Sequence, residues 1–84
     1  MNLLQLNYFK ILAEQQHLTN TAKKLFISPP ALSASIARLE EELGYILFEH
    51  VGRNIVLNNN GLILYKHVKN IFSSIDYAQM ELGS

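Results

Sequence analysis

Eighty-four residues, 49% hydrophobic and 17% charged, describe one ordinary domain, too short for a multi-step enzyme and able to bury only about 60–65% of the surface its unfolded chain exposes. The absence of cysteine excludes a disulfide framework, a thiolate nucleophile and a cysteine zinc site, and no apolar run approaches the roughly 18–20 residues of a membrane span. With Lys10 as the first charge there is no basic start of a signal peptide, so the chain is expected to be soluble and cytoplasmic; its seven basic and seven acidic residues cancel.

Residues 3 to 15 read as a first helix, with Leu3, Leu6, Phe9 and Ala13 on one face and Leu4, Tyr8, Ile11 and Leu12 on the other, a pattern that calls for two neighbours. Thr19 offers an N-cap for a two-turn helix from about Asn20 to Phe26, with Ala22, Leu25 and Phe26 pointing inward. Ser28 caps the next helix, whose first turn tolerates Pro29 and Pro30 because its amides have no intrahelical partner. Leu32, Ile36, Leu39 and Leu43 form its buried stripe and Gly44 its C-cap, while Ser33, Ala34 and Ala37 leave a small outward face. Glu40, Glu41 and Glu42 near its end oppose the macrodipole, so an anion would be met by the other end. Tyr45 to Glu49 and Asn54 to Leu57 read as two short strands around His50-Val51-Gly52-Arg53, with Arg53 at the tip. Asn58 then caps a helix from Asn59 to about Leu82, some 36 Å long, in which Leu64, Val68, Ile71, Ile75, Ala78 and Leu82 recur at three or four with Phe72 alongside.

Helix, helix, turn, helix and a two-stranded wing make a mainly α, winged helix-turn-helix fold, here a three-helix core with a β wing over residues 1–58 and a linker or dimerisation helix over 59–84. Such an arrangement suits double-stranded DNA, since a small-faced helix enters the major groove N-terminus first while the hairpin reaches the neighbouring backbone or minor groove. The run from Leu18 to Gly44 sharpens this. Ser28, Pro30-Ala31-Leu32-Ser33, Ile36, Leu39-Glu40-Glu41-Glu42-Leu43-Gly44 and Leu47-Phe48-Glu49, followed by Gly52-Arg53 and by Leu57 with Gly61, closely resemble the N-terminal domain of LysR-type transcriptional regulators. The resemblance extends from Leu3 into the long helix.

That resemblance implies a dimer that binds an interrupted inverted repeat, with the long helix paired antiparallel to its twin, a tetramer being open to a longer parent protein. It also implies a C-terminal domain for a small-molecule effector, which 84 residues do not include, so the chain reads as an excised fragment or a natural truncation. No cofactor is expected. The expected DNA contacts are Thr19, Asn20, Lys23, Ser28, Pro29, Pro30, Ser33, Ala34, Arg38, His50 and Arg53. The expected dimer surface is Leu64, Val68, Ile71, Phe72 and Ile75, flanked by Leu4, Tyr8 and Ile11.

Family members usually carry Gln before the proline and Arg after the serine, two readers of base edges; Pro29 and Ala34 stand there instead. Ser33 keeps a hydrogen-bonding group, and Pro29, Pro30 and Ala34 suit thymine methyl groups. His50 occupies the place of an Arg and would give a weaker phosphate contact, one that strengthens below about pH 6.5 if the ring is exposed. Each assignment has a plainer alternative. Lys23, Lys24 and Arg38 could be solvated surface, with Arg38 paired to Glu41 or Glu42. His17, His50 and His67 lack metal-ligand spacing, and the consecutive glutamates splay around their helix, which leaves catalysis without a site. Zero net charge and the two missing readers keep a second function open, a winged-helix module for protein association alone.

Overall fold

A computed structural model describes residues 1–84 as four helices and one hairpin. Helix α1 spans Leu3–Gln15, α2 Leu18–Lys24 and α3 Pro29–Leu43; strands β1, Phe48–Val51, and β2, Asn54–Leu57, precede α4, Asn59–Gly83. The fold is the expected mainly α winged helix-turn-helix with a long final helix.

Local chemistry sets most boundaries. Asn2, Ser28 and Asn58 each accept, through their side chains, a backbone N–H in the first turn of α1, α3 and α4 respectively. Gly44, at φ 80°, ends α3, its N–H donating to the Glu40 carbonyl. The strands pair antiparallel with Phe48 opposite Leu57 and Val51 opposite Asn54, leaving Gly52-Arg53 as a two-residue turn with Gly52 at φ 62°. Glycine in the first central position is the type II′ preference.

Two elements depart from expectation. The second helix starts at Leu18 rather than Asn20, because His17 and not Thr19 is its cap; it ends at Lys24 because Phe26 adopts φ 59° in the following turn. That left-handed backbone turns Phe26 outward, 95% exposed, instead of into the core. The first strand begins at Phe48 rather than Tyr45. Glu40 Oε2 accepts the Leu47 N–H at 2.7 Å and holds residues 45–47 as an extended approach, so Tyr45 and Ile46 are exposed and His50 belongs to the strand rather than the turn.

The core consists of Leu6, Phe9, Leu12 and Ala13 of α1, Ala22 of α2, Leu32, Ile36 and Leu39 of α3, Leu47 and Phe48 before and in the wing, and Val68 of α4. Phe9 and Phe48 meet edge to face with centroids 5.5 Å apart, which joins α1 to the wing. Leu12 belongs to the same buried face as Phe9, while Leu3 and Leu4 are exposed because the chain's first turn projects past its neighbours. Gly61 lies where α4 crosses the chain before the wing: a Cβ there would overlap the Leu47 carbonyl oxygen and come within 2.7 Å of Leu57 Cδ2. The Tyr65 hydroxyl donates to Glu14 at 2.8 Å, tying α4 to α1. Partial burial first, and the bond to the Glu14 carboxylate second, hold that phenol above the usual tyrosine range. The distal half of α4 extends past all of this, giving an overall length of 46 Å against 26 and 20 Å across.

Candidate nucleic-acid interface

The candidate surface is built on α3. With Leu32, Ser35, Ile36 and Leu39 turned inward, the helix presents Pro30, Ala31, Ser33, Ala34, Ala37 and Arg38 outward, all exposed. Gln5 Nε2 donates to the Ser35 carbonyl at 3.0 Å, which fixes the helix's rotation against α1. A face whose side chains are this small lets the helix axis approach another surface closely, and its N-terminal end carries the positive pole of the macrodipole. The wing stands beside it: Ser33 and Ala37 of α3 line one cleft of about 270 Å³ with His50 and Ile55 of the hairpin.

The remaining expected contacts have definite positions. Thr19, Asn20 and Lys23 are exposed on α2, and Arg53 is exposed at the hairpin turn. Pro30 is exposed at the head of α3 while Pro29 beside it is half-buried. Ser28 Oγ accepts the Ala31 N–H at 3.2 Å, so its hydroxyl oxygen is engaged as a helix cap and only its O–H remains to donate outward. Arg38 makes no ion pair with Glu41 or Glu42; the two ion pairs of the chain are the Met1 amino group with Glu42 and Lys10 with Glu14. Lys23, Lys24, Arg38 and Arg53 therefore carry uncompensated charge, whereas Glu40 and Glu42 are held by Leu47 and Met1. The neutral total is therefore a matter of distribution: Lys23, Lys24, Arg38 and Arg53 are unpaired around this face, while Glu42 is paired at the far end of α3.

Residues 3–62 match the family described as bacterial regulatory helix-turn-helix protein, lysR family. The chain belongs to this family. Among curated lysR-like relatives, it is 54% identical over 65 residues to the uncharacterized HTH-type transcriptional regulator YybE of Bacillus subtilis (strain 168), covering 77% of the chain and 22% of that protein. It is 44% identical over 82 residues to the transcriptional dual regulator GltC of the same organism, covering 98% of the chain and 27% of GltC. The chain spans about a quarter of the length of these relatives. A solved structure, the BenM_DBD/benA site 1 DNA complex, superposes with a TM-score of 0.90 at 35% identity over 99% of this chain and 96% of that one. Full-length CbnR complexed with its target DNA matches at TM-score 0.84 and 28% identity, over 96% of this chain and 28% of that one.

The surface expected to meet a second copy needs one correction. Val68 is fully buried within its own subunit and packs in the core, so it has no surface to offer a partner. Its position in the repeat is set by the globular part beneath α4, one helical face serving both neighbours. Leu64 and Phe72 are half-buried against that core and Ile75 is half-buried beyond it, while Ile71 is 39% exposed. On α1, Leu4 is exposed, Tyr8 and Ile11 are half-buried, and Leu4 and Tyr8 line a cleft towards Ala31 and Arg38 of α3. Three site-shaping residues escaped sequence reasoning: His17 as a cap, Glu40 as an anchor for Leu47, and Gln5 as a clip on α3. Only Glu40 carried a signal, as an acid placed four residues before the helix-ending Gly44.

Proposed function

We propose that this chain is the DNA-binding part of a dimeric transcriptional regulator that recognises double-stranded DNA in a sequence-specific way. One observation carries the reading: the small, exposed face of α3 and the wing share a cleft, and four of the six unpaired basic side chains, Lys23, Lys24, Arg38 and Arg53, lie on the elements that form or flank this face. Phosphates would be met by Lys23, Arg38, His50, Thr19 and Asn20, with Ser28 donating where its cap leaves the O–H free. Base edges would be met by Ser33, and thymine methyls by Pro29, Pro30 and Ala34. Arg53 would enter a narrow minor groove. The near-complete superposition on a DNA-complexed relative of the same family supports this reading.

The distal half of α4 would join a second copy through Ile71 and Ile75, with the partly covered Leu64 and Phe72, presenting two α3 helices to grooves roughly 34 Å apart in an interrupted inverted repeat. Response to an effector belongs to the part of such regulators beyond this length. A protein with this role works in the cytoplasm and catalyses nothing. Titration with duplex DNA at several salt concentrations tests the reading. Affinity should fall with salt at a logarithmic slope of about 0.9 per phosphate neutralised; no duplex binding even at low salt would instead leave a protein-association module. Sites selected from random DNA would define the operator.

A further inference from the structure

We propose that His17 is a positioning residue for the DNA contact, its neutral imidazole holding the first turn of α2 so that this turn loosens in mild acid; the inference rests on the DNA-binding reading above. His17 Nδ1 lies 3.1 Å from the Asn20 nitrogen and accepts its N–H. A ring nitrogen that accepts an N–H presents its lone pair, so the proton of the neutral ring is on Nε2. Protonation converts the acceptor into a donor aimed at another donor, and it places a cation at the positive end of the helix. Both changes act against the cap.

The helix has little reserve. It is seven residues long, and Thr19, Asn20 and Thr21 at its start are weak helix formers. Thr21 donates both its N–H, at 3.0 Å, and its hydroxyl, at 2.7 Å, to the His17 carbonyl, while the neighbouring Gln16 carbonyl accepts the Ile55 N–H at 3.0 Å. One corner therefore joins the end of α1, the start of α2 and the wing, and Thr19 and Asn20 ride on it.

His17 forms no ion pair. Glu14, on α1, is engaged with Lys10 at 3.3 Å and with the Tyr65 hydroxyl; β2 carries no titratable side chain; α2 itself adds Lys23 and Lys24. The face of α3 turned to the core is Leu32, Ser35, Ile36 and Leu39, and of its charged residues Glu40 bonds Leu47, Glu42 pairs with Met1, and Arg38 and Glu41 are exposed. The cap bond exists only for the neutral ring.

The test compares the unmodified residue with His17→Ser, which caps without titrating, and His17→Ala, which does not cap. All three chains carry His50→Gln so that the imidazole of the wing does not titrate alongside. Melting temperature and affinity for a duplex selected from random DNA are measured at pH 7.5 and 5.5. At pH 7.5 the chain that keeps His17 and the His17→Ser chain should match, while His17→Ala binds several-fold more weakly and melts about 4–8 °C lower. At pH 5.5 the chain with His17 should fall to the level of His17→Ala, with His17→Ser keeping its advantage. A ratio between the His17 chain and His17→Ser that is constant with pH would overturn the proposal, as would one that shifts towards the His17 chain in acid because an imidazolium meets a phosphate. Were no chain to bind duplex, the DNA-binding reading would fail, and parallel melting-temperature slopes in the two chains would separately dispose of the cap.

Discussion

Ala34 and Phe26 are both exposed, for opposite reasons. Ala34 is exposed on a regular helix, and substitutions at such sites usually change stability by no more than about 0.5 kcal/mol. Ala34→Arg should therefore leave the melting temperature nearly unchanged while shifting base preference, since an Arg there could reach a guanine edge in the groove. A large loss of stability would mean that α3 is rotated from the position described. Phe26 is exposed because its backbone is left-handed, a conformation that costs a non-glycine residue about 1–2 kcal/mol and that Asn tolerates better. Phe26→Asn should raise stability by up to about 1 kcal/mol in chemical denaturation, and a decrease would reveal packing that the exposed ring does not show.

Among elements, the junction between wing and α4 is the most tightly specified. Asn58 accepts the Gly61 N–H at 2.8 Å and donates through Nδ2 to the Ile46 carbonyl at 2.7 Å, so one side chain caps the helix and fixes the approach to the wing. Asn58→Ala should cost about 1–2 kcal/mol, the upper part of the range for losing a cap. Gly61→Ala should cost more despite being a good helix substitution. The added methyl meets a backbone carbonyl, which cannot move as a flexible side chain can, and overpacking of this kind costs about 1–3 kcal/mol or more. Urea denaturation of the two variants checks the order; Gly61→Ala equal to or more stable than the parent would show that α4 does not cross the chain at Leu47 as described.

At the level of the whole molecule, an elongated shape and an unsupported distal helix invite a second copy. With Val68 committed to the core and Leu64 half-covered by it, Ile71, Ile75, Ala78 and Leu82 remain as apolar positions of the stripe, Leu82 being 86% exposed. Complete burial of such side chains is worth about 1.5–3 kcal/mol each, and two subunits contribute them twice, against an association cost between about 4 and 15 kcal/mol. Ile71→Asp would place a charge in the proposed seam and should give monomers with weak half-site affinity. Sedimentation of the parent and the variant decides this: a parent that is monomeric at tens of micromolar, or a variant that still dimerises, would move the interface elsewhere.

Much of this protein was determined by its sequence because the governing signals are local. Ser28 before two prolines, Gly44 after the stripe from Leu32 to Leu43, Gly52 in the turn and Asn58 before α4 act within one helical turn or hairpin, so their effects follow from neighbouring residues alone. The family run from Leu18 to Gly44 sharpened an order of elements already legible in the caps and the periodicity. Long-range packing settled the places where a local preference met a distant partner. His17 displaced Thr19 as the cap because its ring nitrogen was in reach of Asn20 at a corner pinned by Ile55. Glu40 delayed the first strand by binding Leu47, and a left-handed turn expelled Phe26 from the core that its hydrophobicity suggested. Val68 shared the period of the stripe expected to meet a second copy but was claimed by its own subunit, since periodicity names a buried face without naming the body that buries it.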